Sequence, residues 1–405
     1  MIPLIYILLL FASLSYQKKK HGYIANVYFF VSVIWIVCGI TAYYNPVGLI
    51  PVSNIVHIYS FVFIVSFNLS NYKSIRSYNT ELMYENVGED TLKCIWKRTK
   101  ILCLIAITAY SSILVQGLLA FFSGDYAVVK SLFYQEGVSY LFMYFVKVIP
   151  IGMIRCLTVS SLYFYFYGGG RKFLALAILL MLLTTLSSMT RVDMIVFIVA
   201  YFYLASLNYK RKKINLKPLV FGIALMSVVS VFFRGNDFLE SLIVYLSGSF
   251  SFFQYILDHP FDYDLNHLQY GYMTFASITE PVMLILKVLG FTTAKTPEYL
   301  FNINCQEFVN ISYYDVNYYN NNTTALYMFI YDFGPIGILI GGILLGLLTR
   351  KLHVEFTKKN LWLSIIYLYV VVGLFTTTMS YNRFFGLMPL TVIFTSYFLT
   401  RGIKN

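Results

Sequence analysis

The sequence predicts an all-α polytopic membrane protein with about eleven transmembrane helices (11–13 in all) and one large extracytoplasmic loop before the last three spans. Two observations lead to this prediction. Of the 405 residues, 59% are hydrophobic and only 12% are charged, whereas a soluble domain carries about 25% charged residues. Apolar runs of about 16 to 25 residues recur along the chain, and about 20 residues are enough to cross a hydrocarbon core of roughly 30 Å.

Basic residues are grouped at alternate ends of these runs. Of the 30 lysines and arginines, 22 lie in six clusters between every second pair of runs, at residues 18–20, 73–100, 171–172, 210–217, 350–359 and 401–404. Because Lys and Arg are retained on the cytoplasmic side, the pattern predicts an outer N-terminus and a cytoplasmic C-terminus. The same bias explains the net charge of +12, so no nucleic-acid partner is predicted.

The apolar runs give the predicted spans in chain order. An N-terminal bundle, residues 1–234, holds eight spans, at residues 2–16, 23–43, 52–70, 101–122, 138–167, 172–189, 192–208 and 218–233. Between the second and third spans, Asn45-Pro46-Val47-Gly48 predicts an outer turn. Residues 235–322 form the large outer loop with short helices. A C-terminal bundle, residues 323–405, holds the last three spans, at residues 324–348, 361–379 and 385–400.

Two apolar stretches inside the large loop, residues 239–257 and 275–291, have more than one interpretation. Each fits an amphipathic surface helix or a re-entrant element, and together they fit a pair of further spans. A pair of spans leaves the later topology unchanged, so the distribution of basic residues does not choose between these alternatives.

Three arginines outside the basic clusters, Arg191, Arg234 and Arg383, each lie at the outer end of a predicted helix. A guanidinium presents a planar fork of donors that matches phosphate oxygens. Three such groups at one depth predict a site that holds a pyrophosphate-linked lipid and stabilises the charge on its leaving group. The alternative is that each side chain reaches the interface or pairs with a nearby acid such as Asp193 or Asp237.

Two further cations, Lys147 and Arg155, lie within the fifth predicted span. A charge near the bilayer centre costs at least about 2.5 kcal/mol. Their spacing of eight residues puts them close to one helix face. This spacing allows a shared polar cavity, and a position of Lys147 near the outer interface is the favoured alternative.

A polar motif opens the span that follows the loop. Asn322, Thr323 and Thr324 offer capping groups for the helix start. Asp332 then lies about two turns inside the span, where a carboxylate is costly unless a cation pairs with it. The glycines that follow allow helices to pack closely; they are Gly334, Gly337, Gly341, Gly342 and Gly346.

These features resemble Wzy-type O-antigen polymerases, the family that joins lipid-linked oligosaccharide repeat units. Ser188-Met189-Thr190-Arg191 resembles the family's arginine at the outer end of a span, and Phe233-Arg234-Gly235 resembles the arginine that opens the large loop. The segment from Asn322-Thr323-Thr324 to Tyr331-Asp332-Phe333-Gly334-Pro335-Ile336-Gly337 resembles the family's entry into the next span. The order of many spans, a late outer loop and a few closing spans extends the resemblance over most of the chain.

The resemblance implies an inverting glycosyltransferase of the bacterial inner membrane that needs no metal or other cofactor. The donor is a glycan on undecaprenyl pyrophosphate, and the acceptor is a fresh lipid-linked repeat unit. A polysaccharide chain-length regulator is a further potential partner. Arg191 and Arg234 are expected to act on the donor pyrophosphate. The base that takes the acceptor's proton is left open between Asp332 and the loop histidines His259 and His267.

Four further residues are expected to contact substrate, namely Arg383, Arg155, Asn322 and Tyr331. Two alternative functions stay open at this point. An O-antigen ligase shares the donor chemistry and differs in the acceptor. A polysaccharide flippase or another secondary transporter typically shows internal repeats and broken helices, and no repeat is evident in this sequence.

Overall fold

A computed structural model gives the fold. It describes the chain except for residues 22–25, 72–86, 124–143, 169, 189–191, 209–215, 235–237, 298, 302–308, 313–317, 320–322, 359, 380–383, 385 and 404–405. Within the helices and strands, the side chains of residues 20, 21, 121, 144, 226, 228–234, 238–242, 318 and 319 also lie outside the described part.

The described residues are predominantly helical. In chain order the helices are α1 (Ile2–His21), α2 (Val27–Tyr44), α3 (Asn54–Leu69), α4 (Glu89–Ser123), α5 (Ile149–Gly168, preceded by a π-helical turn Tyr144–Val148), α6 (Arg171–Ser188), α7 (Val192–Asn208), α8 (Lys217–Arg234), α9 (Phe238–Asp258), α10 (Ala276–Val288), α11 (Leu326–Phe333), α12 (Ile336–Thr357), α13 (Leu361–Phe375) and α14 (Met388–Thr400). Two short strands, β1 (Val309–Asn310) and β2 (Tyr318–Tyr319), pair antiparallel.

Helix length and composition agree with a multi-pass membrane protein. Five segments of the described chain are long and apolar enough to cross a membrane, at Val27–Tyr44, Glu89–Ala120, Phe145–Gly168, Arg171–Ser188 and Ile336–Thr357. Four shorter apolar helices, α3, α7, α13 and α14, accompany them. The prediction of an all-α polytopic membrane protein is therefore confirmed at this level, and the number of eleven spans stays a prediction.

The chain forms two compact units, each assembled from three separate stretches. One unit comprises Met1–Tyr78, Leu239–Lys351 and Gly373–Gly386, and the other comprises Asn79–Phe238, Leu352–Val372 and Leu387–Asn405. The division predicted from sequence at residues 234 and 322 followed chain order. The compact units combine early and late helices, and the predicted division stays a prediction.

In the first unit, small residues bring α12 against α3. A Cβ added at Gly346 would meet Ser70 Oγ and would lie 2.6 Å from the carbonyl oxygen of Phe67. Gly342, one turn earlier, faces Ser66 in the same way. Small residues four apart on both helices allow this approach, as the glycine pattern predicted.

In the second unit, most residues of α5 are buried, and the helix packs against α4, α6, α7 and α14. Gly152 of α5 faces Thr391 of α14 at 3.1 Å from a Cβ built on the glycine. Gly117 of α4 lies directly against the carbonyl of Ser187 at the end of α6. These contacts gather the ends of several helices near Arg155 and Asp193.

The predicted outer turn after α2 is confirmed as a turn. Asn45 adopts a left-handed conformation with φ of 46°, and its side chain exchanges hydrogen bonds with the main chain of Leu49 at 2.6 and 2.7 Å. Ile50 N donates to Ile311 O at 2.7 Å. The turn therefore contacts part of the predicted outer loop, as two segments on the same side of a membrane can do.

The stretches that the sequence left open are both helical. Residues 239–257 belong to α9, whose buried Phe250 packs edge-to-face on Trp35 of α2 at 5.8 Å. Residues 276–288 form the separate helix α10.

The prediction of one continuous helix from residue 324 to 348 is wrong. The chain breaks between α11 and α12 at Gly334, where φ is 64°, and at Pro335, which has no N–H to continue the helix. The threonines do not cap α11 either. Its N-cap position is Ala325, without a side-chain hydrogen bond.

Candidate functional site

Four of the predicted site residues fall partly or wholly outside the described part of the chain. Arg191, Arg383 and Asn322 are outside it, and Arg234 is described only as the last backbone position of α8. Their predicted roles therefore stay predictions. The helix boundaries still place Arg191 directly before α7 in the sequence.

Helices α7 and α8 lie between the positions of two of these arginines in the sequence. The helices are consecutive and pack against each other, with Ile198 of α7 3.1 Å from a Cβ built on Gly222 of α8. Residues 209–216 join them. In the sequence, residues 191 and 234 stand on the far sides of α7 and α8 from this connection.

Arg155 is neutralised by a carboxylate at the start of α7. Its Nε donates to Asp193 Oδ1 at 2.6 Å, and the two side chains are only 13% and 7% exposed. Its Nη1 also contacts Met388 Sδ at 3.2 Å. Asp193 lies in the first turn of α7, where the positive end of the helix dipole favours a carboxylate.

The ion pair has polar neighbours at the ends of adjacent helices. Tyr110 of α4 shares a hydrogen bond with Ser187 of α6 at 3.2 Å. The hydroxyls of Tyr110 and Tyr369 also lie within electrostatic range of Arg155. Asp193 was one of the alternative partners considered for the outer arginines. The structure gives it to Arg155, whose role in substrate binding stays a prediction.

Asp332 is buried, and main-chain amides satisfy its carboxylate. Oδ1 accepts the N–H of Met273 at 3.0 Å, and Oδ2 accepts the N–H of Thr274. The carbonyl oxygen of Asp332 accepts the N–H of Tyr270 at 3.0 Å. The sequence suggested a cation as partner, whereas this part of the loop provides amide donors.

The surroundings of Asp332 favour an anchoring role over proton transfer. Burial raises the pKa of the Asp332 carboxyl, and the hydrogen bonds from Met273 and Thr274 act in the opposite direction. A raised pKa suits a base, but an incoming hydroxyl would have to displace one of these amide donors. Asp332 is therefore better suited to hold residues 270–274 against the end of α11.

Tyr331 belongs to a second hydrogen-bonded group in the same unit. Its hydroxyl donates to Asp264 Oδ2 at 3.3 Å. His267 Nδ1 lies 3.4 Å from Asp264 Oδ1, with its side chain 81% exposed. Asp264 itself adopts φ of 53°. Tyr331 thus helps to position the polar turn that contains His267.

His259 has the geometry of a general base. It follows the last residue of α9, and its Nδ1 lies 2.8 Å from the carbonyl oxygen of Tyr255. Because a carbonyl can only accept, Nδ1 carries the hydrogen, and in the neutral ring Nε2 is then the acceptor. The ring stacks on Tyr255 with centroids 4.1 Å apart. These contacts fix the tautomer and the ring plane of a half-buried imidazole.

Buried threonine hydroxyls are the feature that sequence reasoning underestimated. The hydroxyls of Thr323 and Thr324 are buried and have no hydrogen-bond partner among the described residues, whereas the buried Thr378 side chain hydrogen-bonds with Cys38. The two segments meet where Ala325 N donates to Thr377 O at 2.8 Å. A buried polar group without a partner costs about 1–3 kcal/mol. The runs Thr323-Thr324 and Thr376-Thr377-Thr378 were the available sequence signal.

Within the described residues, no group of three or more His, Cys, Asp or Glu side chains is arranged to hold a metal ion. The fold and these sites define a helical multi-pass membrane protein with polar groups buried at helix ends. No family model, curated protein or solved structure matches the chain.

Proposed function

We propose that the protein polymerises undecaprenyl-pyrophosphate-linked oligosaccharide repeat units into O-antigen or capsule-type polysaccharide at the outer face of the inner membrane. The observation that carries the proposal is the order of the charges along the chain: Arg191 stands directly before α7 and Arg234 is the last position of α8, whereas the basic residues 210–213 stand between the two helices in the sequence. Arginines at the end predicted to lie outside run against the usual distribution of positive charge, and they match the oxygens of a lipid pyrophosphate.

The proposed reaction is an inverting glycosyl transfer without a metal. The acceptor sugar's hydroxyl oxygen attacks the anomeric carbon of the donor glycan, and the bond from that carbon to the pyrophosphate oxygen breaks. The proton of the attacking hydroxyl passes to Nε2 of His259. Arg191 and Arg234 stabilise the negative charge that forms on the leaving undecaprenyl pyrophosphate, and Arg383 adds a further donor.

Asp332 and Arg155 have supporting roles in this proposal. Asp332 anchors the loop through the amides of Met273 and Thr274, which keeps that loop in place beside α11. Arg155 fixes Asp193 at the start of α7, directly after Arg191 in the sequence. Tyr331 and Asn322 remain candidates for contacts with the sugars.

The test is product formation from a defined substrate. The purified protein in proteoliposomes is given one lipid-linked repeat unit, and the glycans are separated by size. A ladder of products spaced by one repeat unit supports the proposal. The His259→Gln variant should lose the ladder, while Asn266→Ala, at an exposed position of the same loop, should keep it. A purified, folded protein that gives no extension refutes the polymerase.

The break between α11 and α12 favours a secondary transporter as the second candidate. Discontinuous helices often form transport sites, and here the break at Gly334 lies directly after the buried Asp332. Movement of the lipid-linked unit across the bilayer without a new glycosidic bond identifies a transporter. Transfer of one finished glycan to a lipopolysaccharide core, without extension, identifies an O-antigen ligase.

A further inference from the structure

Helix α10 carries apolar side chains on its outward face as well as on its inward face, where Ala276 and Leu284 are buried. Its outward face carries Ile278, Val282 and Ile285, which are 63%, 49% and 59% exposed. Its inward face carries Glu280, which is fully buried and interacts electrostatically with Tyr272. Apolar side chains at positions i, i+4 and i+7 form one stripe of the helix. The environment that this stripe faces is therefore expected to be apolar.

The helix is too short to cross a membrane. Its 13 residues span about 20 Å at 1.5 Å per residue, against a hydrocarbon core of roughly 30 Å. An amphipathic helix of this kind instead lies in the plane of the interface, with its apolar face among the upper parts of the acyl chains.

Contacts within the same unit fix α10 beside the start of a candidate span. Asp332, four residues before α12, binds the amides of Met273 and Thr274 just before α10 begins. A Cβ built on Gly271 would lie 3.2 Å from the ring of Phe333. Since α12 is apolar enough to cross a membrane, its first residues lie near a membrane surface. Helix α10 starts at that same depth.

The apolar surface continues from α12 to α10. At the start of α12, Ile336 and Leu339 are exposed, and on α10 the exposed stripe runs on to Val288 and Leu289. Lys287 lies in the last turn of α10, where its ammonium can reach lipid phosphates while its stem stays among apolar groups. Lipid therefore satisfies both the apolar stripe and the lysine at its end.

We propose that α10 is an interfacial helix that inserts Ile278, Val282 and Ile285 into the outer leaflet of the bilayer. The occupant of this face is phospholipid, with acyl chains against the stripe and headgroups near Lys287. The helix would then hold the loop that begins after His259 at a fixed height above the membrane. This inference does not depend on the proposed polymerase activity.

The test measures lipid contact at single positions. The full chain, with its native cysteines replaced by serine, receives one cysteine at Ile285 or at Ile278, is labelled with bimane and is reconstituted in phosphatidylethanolamine–phosphatidylglycerol nanodiscs. Quenching by lipids that carry a nitroxide near the top of the acyl chain is compared with quenching by aqueous iodide. The matched control is Asn266→Cys, at an exposed position of the preceding loop.

Nitroxide-lipid quenching at Ile285 and Ile278 should exceed that at Asn266 several-fold, and iodide quenching should show the reverse order. Strong iodide quenching at all three positions would show that the stripe faces water, and it would overturn the proposal. Protection of Ile285 and Ile278 from both quenchers would show that protein covers the stripe, which also contradicts it. Glycan synthesis is not part of this measurement, so failure here is distinct from failure of the polymerase.

Discussion

Removing Asp193 from the Arg155–Asp193 ion pair should destabilise the protein more than removing Arg155. Removal of one partner of a buried pair typically costs about 3–5 kcal/mol because the other charge is left buried. In Asp193→Leu the guanidinium is left behind, and it cannot lose its charge. In Arg155→Met the carboxylate remains in the first turn of α7, where the helix dipole offsets up to about 2 kcal/mol. Asp193→Leu should therefore be the more costly change.

A double-mutant cycle isolates the interaction. The variant with both changes should recover part of the loss, with a coupling energy of about 2–3 kcal/mol. The assay is the free energy of unfolding of the purified protein in one detergent, followed by circular dichroism. The Lys93–Asp90 pair in the same unit is the control, because its atoms are 3.1 Å apart but its side chains are 71% and 98% exposed.

The exposed Lys93–Asp90 pair should show a coupling energy below about 1 kcal/mol. A similarly small coupling between Arg155 and Asp193 would refute the assignment of Arg155 to a buried ion pair. It would return Arg155 to the set of arginines available for a phosphate.

Two further predictions concern the anchor of the loop and the packing of α12. In Asp332→Asn the side-chain NH2 faces a main-chain N–H, so one charge-assisted hydrogen bond worth about 1.5–3 kcal/mol is lost. Hydrogen exchange of the main-chain amides of Met273 and Thr274, measured by mass spectrometry, should therefore become about tenfold faster or more. Unchanged exchange there would remove the anchoring role. Gly346→Val forces side-chain atoms toward the carbonyl of Phe67 and should lower the free energy of unfolding by about 1–3 kcal/mol. The control Gly88→Ala, with nothing within 4 Å of the added Cβ, should leave the stability unchanged. Equal stability of the two variants would contradict the close packing of α12 on α3.

The sequence predicted helix boundaries well where neighbouring residues alone determine where the helix begins and ends. The predicted span at 192–208 corresponds to helix Val192–Asn208, because an apolar run between polar ends defines both boundaries. The break inside the span predicted at 324–348 was not predicted, because the apolar run continues through Gly334 and Pro335 and the break depends on backbone chemistry rather than hydrophobicity.

Partners of the polar residues could not be predicted from spacing. Arg155 and Asp193 are 38 residues apart, and nothing in helical periodicity links them. The partners of Asp332 are main-chain amides almost 60 residues earlier, and every residue type except proline supplies an amide. Sequence alone could show that a carboxylate there needs compensation, but not which group provides it.

The exposed stripe of α10 could be predicted from the sequence only in part. Its apolar positions are visible in the sequence, and they left three interpretations open for residues 275–291. The structure supplies the length of the helix and the burial of Glu280, which together favour the surface helix. The distribution of basic residues could not choose between these interpretations, because a pair of added spans leaves the later topology unchanged.

The central claim is that guanidinium groups of Arg191 and Arg234 bind the donor pyrophosphate, and glycan length in cells tests it most directly. Arg191→Ala and Arg234→Ala are expressed in place of the native protein, membrane insertion is checked by fractionation, and lipopolysaccharide is separated by size. Each variant should give a core carrying a single repeat unit, and the Lys variants, which keep the charge without the fork, should give partial ladders. Long ladders of normal distribution from both inserted Ala variants would contradict the account.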